Sequence, residues 1–167
     1  MFEAPTLHKL DLGTQYERVH LKNLIERMVN PMGDSNHGCK RYHLESTDVM
    51  FIDEWLRDQK LHIIEVWANV NSPGSRNELH QHEKVQYTGV YFLTAPDNCG
   101  PLVLKNPANV ANQCHPDAPN VQDIVVDPVE GGMIVFPGWV PHEVWINSSA
   151  EDRISIAFNL GVVQDEL

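Results

Sequence analysis

The chain is short of cysteine, short of positive charge, and without a long apolar run. Its three cysteines, Cys39, Cys99 and Cys114, are scattered through 167 residues. They make no CxxC pair, and an odd, dispersed set provides no disulfide framework. That pattern suits a reducing, cytoplasmic setting. Lysine and arginine number 12 against 23 acidic residues, giving a formal net charge of −11. A chain so acidic is repelled by a phosphate backbone, so no nucleic-acid partner is expected. Lys22, Arg27, Lys40 and Arg41 are the one hint of a basic patch, and they read as a solvated helix face and loop. No apolar stretch approaches the ~20 residues that span a bilayer. Residues 1–20 carry charges throughout, so neither a membrane partner nor a signal peptide is expected. No repeat, low-complexity tract or linker divides the sequence, and its length fits one domain, 1–167, with one core.

What is present falls into two parts, a helical segment over 1–60 and a strand-rich segment over 61–160. Thr14 and Glu17 have capping-box spacing. Val19, Leu24, Ile25 and Met28 follow at helical intervals until Asn30-Pro31 and Gly33 end the run. Residues 31–46 are rich in turn formers and read as loop. A second helix is expected from Thr47 or Asp48 to about Gln59, with Phe51, Trp55, Ile52 and Leu56 on its buried side. From Leu61 the period changes to short strands between turn clusters. Extended segments are expected at 61–70, 76–93, 101–105, 124–126, 133–136, 142–146 and 153–160. Residues 106–120 read as a long loop or a lid. Seven or so short strands with regular turns imply a mainly β fold, an antiparallel sandwich or jelly roll, with the two helices packed on one sheet.

The chemistry gathers at His80 and His82. Residues i and i+2 of a strand share a face, about 6.6 Å apart, so two imidazoles so placed can reach one metal ion. With nine histidines in the chain, chance alone supplies roughly 0.4 such pairs, so the motif needs context. His142 supplies it. A Gly-Gly turn, an apolar strand and a Pro-Gly corner precede it, which places it at one open end of a barrel of hairpins. Three imidazoles can occupy one face of an octahedron and suit iron, zinc, copper or nickel. Their remaining ring nitrogens need acceptors, with Asn77, Glu83 and Glu143 as sequence neighbours; Glu143 should point away as a solvated charge. Arg153 is the second signal. Arg153, Ser155 and Ala157 share one face of their strand, and Ile154, Ile156 and Phe158 the other. Arg153 either lines a polar space or is buried, and burial demands a charged partner. A bidentate carboxylate fits either case, with the Ser155 hydroxyl as a further donor.

The blocks NELHQH, TGVYFL, EGGMIVFPGWVPHEV and DRISIAFN, in that order, resemble a family of 2-oxoglutarate- and Fe(II)-dependent oxygenases of bacteria and phages. The resemblance covers roughly residues 64–160. It implies a double-stranded β-helix with Fe(II) at its open end and 2-oxoglutarate as co-substrate. It implies His80 and His142 as metal ligands. His82 stands where most of the superfamily has a carboxylate, which leaves a three-histidine site or a site with His82 displaced. Arg153 and Ser155 match the element that holds the distal carboxylate of 2-oxoglutarate, and Tyr91 or Tyr87 is implied as an assistant. The implied activity spends O2 on converting 2-oxoglutarate to succinate and CO2 while hydroxylating a C–H bond of a small molecule or a peptide side chain.

Two rivals share the scaffold. A cupin begins with a similar HxH block, but its glutamate would fall at Gln86 or Tyr87, and it requires no arginine at 153. A non-catalytic jelly-roll binding module has no need of His80, His142 and Arg153 together. An edge strand of a jelly roll can pair with a second copy of itself, which leaves the oligomeric state open, with a homodimer as one option.

Overall fold

The computed structural model describes residues 6–32, 34–35, 37–107, 109 and 122–163. Its elements in chain order are β1 (Leu7–Lys9), α1 (Gln15–Glu26), β2 (Asp34–Ser35), β3 (Cys39–Leu44), a 3-10 turn (Ser46–Val49), α2 (Met50–Asp58), β4 (Leu61–Asn71), β5 (Asn77–His80), β6 (Tyr87–Thr94), β7 (Leu102–Leu104), β8 (Ile124–Val126), β9 (Met133–Pro137), β10 (His142–Val144) and β11 (Arg153–Val162). The strands form a seven-stranded sheet, β1-β9-β6-β11-β4-β3-β2, and a four-stranded sheet, β5-β10-β7-β8. All their pairings are antiparallel. This is the double-stranded β-helix, mainly β, with the helices on the large sheet.

Period-two sequence explains the layering. Ile154, Ile156, Phe158 and Leu160 of β11 are buried with Val66 and Ala68 of β4, Leu21 and Ile25 of α1, and Ile52 and Leu56 of α2. That is the main core, between helices and large sheet. The alternate residues of the same strands point toward the small sheet. A second, smaller core fills part of that space with Val90, Phe92, Leu102, Leu104, Ile134, Phe136 and Val140. The remainder is a cavity, described below. Within the large sheet, a Cβ at Gly89 would meet the ring of its β11 partner Phe158 and the Ile134 carbonyl of β9, so β6 has room only for glycine there.

The start of α1 is as the sequence indicates, whereas α2 begins at Met50, later than expected, after the 3-10 turn over Ser46–Val49. Thr14 Oγ1 accepts from the Glu17 amide at 3.2 Å, and Glu17 accepts from the Thr14 amide at 2.6 Å. α1 stops earlier than expected, at Glu26, and Val19 lies on its exposed side. The 31–46 segment differs from expectation. Two strands lie within it, and β3 pairs with β4 from Cys39↔Asn71 to Leu44↔Val66. Lys40, Arg41 and His43 interrupt its apolar positions, so the ladder with β4, and not a hydrophobic alternation, makes it a strand. With β1 on β9, the first 60 residues add strands to the large sheet as well as helices. The expected lid over Asn106–Asn120 lies for the most part outside the described residues.

Candidate metal centre

Three elements converge on the open end of the sandwich. β5 ends at His80 and β10 begins at His142, and the two are direct partners across the ladder. His82 follows in the connection that carries the chain from the small sheet to the large one. His80 and His82 therefore meet because the chain turns over between them, not because they share a strand face. Their ring centroids are 5.4 Å apart; His80 lies 4.3 Å and His82 5.2 Å from His142. One ligand nitrogen from each lies within 4.8 Å of the others. Imidazole nitrogens gathered this closely could hold one metal ion between them.

The other ring nitrogens are held. His80 Nδ1 donates to the Glu78 carbonyl at 2.7 Å, and His142 Nδ1 donates to the Val140 carbonyl at 2.9 Å. His82 Nδ1 donates to Asn159 Oδ1, whose own Nδ2 donates to Glu65 Oε2 at 3.1 Å. With Nδ1 occupied three times, Nε2 is left as the lone pair aimed at the centre. Burial drives the His142 pKa down to about 3, and the neighbouring His80 adds repulsion against its cation. Burial also lowers His82, against the pull of its bond to Asn159. The buried rings are thus neutral near pH 7, the form that binds metal.

The expected acceptors do other work. Glu143 turns away to Lys105 at 2.8 Å and to the Trp145 indole at 3.0 Å. Asn77 accepts from Asn71 at 2.7 Å. Glu83 lines the cavity. Asn159, which sequence reasoning did not single out, is the side chain that steadies His82. Its signal was available, since Asn159 continues the Arg153, Ser155, Ala157 face of β11.

Arg153 resolves to the buried case. It is 1% exposed, and none of its three guanidinium nitrogens has a hydrogen-bond partner. Its guanidinium lies over the Phe92 ring, 5.5 Å from the centroid. Burial lowers its pKa to about 10, so it stays charged at neutral pH. A cavity of about 340 Å³ joins Arg153 and Ser155 to the three histidines, walled further by Trp67, Asn69 and Ala157. An uncompensated buried cation costs on the order of 3–5 kcal/mol. A carboxylate entering this cavity offsets that cost with two parallel charge-assisted bonds.

Tyr91 and Tyr87 do not line this cavity, which corrects the role the resemblance implied for them. Both lie on the helix-facing side of β6, whose cavity face carries Thr88 and Val90. The Tyr91 hydroxyl donates to the Leu12 carbonyl at 2.8 Å, and its ring meets Phe51 edge to face. Burial raises its pKa to about 12, which keeps that donor protonated.

Fold and cavity together define a jelly-roll protein with a histidine cluster beside a buried, unpartnered arginine. The chain belongs to the family described as "Putative 2OG-Fe(II) oxygenase", whose model matches residues 65–159. No curated protein matches the sequence. Solved structures share the fold at low identity. An oxidoreductase of the 2OG-Fe(II) oxygenase family from Burkholderia pseudomallei is 13% identical, with a TM-score of 0.70 over 93% of this chain and 84% of that one. HygX from Streptomyces hygroscopicus, with nickel, 2-oxoglutarate and hygromycin B bound, is 12% identical, with a TM-score of 0.71 over 95% and 83%. A Pseudomonas putida prolyl-4-hydroxylase is 17% identical, with a TM-score of 0.65 over 94% and 92%.

Proposed function

We propose that this oxygenase hydroxylates a C–H bond, with Fe(II) held by His80, His82 and His142 and 2-oxoglutarate anchored by Arg153 and Ser155. The observation that carries the reading is the charged, buried and unpartnered guanidinium of Arg153 in the cavity of the three histidines. The donor set fits the metal: neutral imidazoles suit Fe(II), and three of them leave positions open for ligands. Bound Fe(II) supplies the redox chemistry that couples conversion of 2-oxoglutarate and O2 to succinate and CO2 with oxidation of the substrate.

The protein's own residues bind and orient. Asn159 fixes the His82 ring, and the carbonyls of Glu78 and Val140 fix the other two. Arg153 receives the distal carboxylate end-on with Ser155 beside it, which aims the opposite end of 2-oxoglutarate at the histidines. Trp67, Val90 and Ala157 supply apolar wall to the same space. The substrate is a small molecule or a peptide side chain, consistent with the acidic chain. Free, buried Cys39 and Cys99 support a cytoplasmic location. No helix among the described residues is long and apolar enough to cross a membrane. β8, an edge strand with Val125 exposed, supports assembly as a homodimer.

The test is direct. Protein reconstituted with Fe(II) under air is expected to convert 2-oxoglutarate to succinate, followed by NMR. If 2-oxoglutarate fails to bind in the presence of metal, the reading is lost and the cupin alternative takes its place.

A further inference from the structure

A second arginine lines the cavity, and neither the histidine cluster nor the 2-oxoglutarate anchor uses it. Arg41 sits on β3 opposite Asn69 of β4, and both side chains line the cavity. Its guanidinium lies over the Trp67 ring at 4.8 Å. Trp67, only 6% exposed, in turn stacks on His82 at 5.9 Å between centroids. Arg41, Trp67 and His82 thus form a continuous ladder from an open cation to a metal-binding imidazole. No carboxylate pairs with Arg41 among the ion pairs of the described residues. Its Nε is buried without a hydrogen-bond partner. A guanidinium stacked on an aromatic ring is pre-organised for planar, bidentate recognition of an oxyanion.

The other charges of the cavity narrow the ligand. Glu65 and Glu83 line the same space. They repel a phosphate dianion but accommodate a carboxylate monoanion, and they favour an ammonium group on the same molecule. The short ladder also limits reach, since an acid held at Arg41 presents carbon atoms to the histidine cluster only if it is small.

We propose, resting on the oxygenase reading above, that the substrate is a small zwitterionic acid of amino-acid type, its carboxylate held by Arg41 and its ammonium group set against Glu65 and Glu83. Arg153 serves the co-substrate; Arg41 selects the substrate.

The test is a binding titration of the protein loaded with Fe(II) and 2-oxoglutarate without oxygen, followed by ligand-observed NMR. Free L-amino acids are compared with their methyl esters and N-acetyl derivatives. At least one amino acid is expected to saturate, with its ester and its N-acetyl form each weaker by about tenfold or more. Arg41→Gln is expected to abolish the preference for acid over ester, and Arg41→Lys, which keeps the charge but loses the planar stack, to retain part of it. In both variants 2-oxoglutarate affinity should change by less than about twofold, and melting curves should match the parent protein's. Equal binding of acid and ester, an unaltered preference in Arg41→Gln, or no saturable amino acid would each overturn the proposal. Failure of metal or 2-oxoglutarate to bind would instead sink the oxygenase reading. Because the comparison reads binding and not turnover, the two failures are separable.

Discussion

Arg153 and Asn159 bracket one face of β11 and do opposite kinds of work. Arg153 carries a charge that the described protein leaves without an acceptor, so its removal relieves the fold while disarming the site. Arg153→Gln is expected to weaken 2-oxoglutarate binding by about tenfold to a hundredfold, the worth of a charge-assisted bidentate pair. Calorimetry with Ni(II) in place of iron should find metal stoichiometry unchanged; loss of metal would assign Arg153 a structural role. Asn159 acts through His82 and not on the metal itself. It fixes the His82 tautomer through Oδ1 and is itself fixed by Glu65. Asn159→Ala is therefore expected to lower metal affinity by roughly tenfold to a hundredfold, the usual cost of losing a residue that orients a ligand. Retention of full affinity would show that His82 is positioned by stacking on Trp67 alone, or contributes no metal bond.

At the scale of elements, β11 serves two layers at once. Its even-numbered residues hold the helices and its odd-numbered residues build the cavity, so the two roles are separable by mutation. Ile156 is fully buried in the helix-facing core. Ile156→Ala should cost about 2–5 kcal/mol in urea unfolding, with Ni(II) binding of the folded fraction unchanged. This alternation was legible in RISIAFN, as were the β4 run and the positions of His142 and Arg153. Which face turned inward was not, because both faces of a strand between helices and a second sheet are buried; one merely carries a polar cavity. The same ambiguity misled the reading of Tyr87 and Tyr91, whose parity was right and whose side was unknown. β3 was missed for another reason. Its strand character comes from register with β4, a contact distant in sequence. The closeness of His80 and His82 was also anticipated, but from strand geometry; a chain reversal between sheets produces it.

Over the whole molecule, these features make stability depend on ligands in a definite order. The site brings together a buried cation, three closely gathered imidazoles and an open cavity, all inside a chain of net charge −11. Each is a cost in the free protein that a bound partner removes. Metal should bind first, since the three imidazoles are already gathered within 4.8 Å of one another. 2-Oxoglutarate should bind weakly alone, because Arg153 secures one end of it and only the metal secures the other. At about a hundredfold excess over Kd, a ligand specific for the folded state stabilises it by about 2.7 kcal/mol. For a chain of this size that corresponds to a rise in Tm of roughly 5–10 °C. Thermal melts are therefore expected to show a clear rise with Ni(II), little change with 2-oxoglutarate alone, and a further rise when 2-oxoglutarate is added to the metal-loaded protein. In Arg153→Gln the first rise should persist and the further one disappear. In Asn159→Ala the first should shrink and the further one fall with it. A melt in which 2-oxoglutarate stabilises the metal-free protein as strongly as the loaded one would show that the two ligands do not share the cavity.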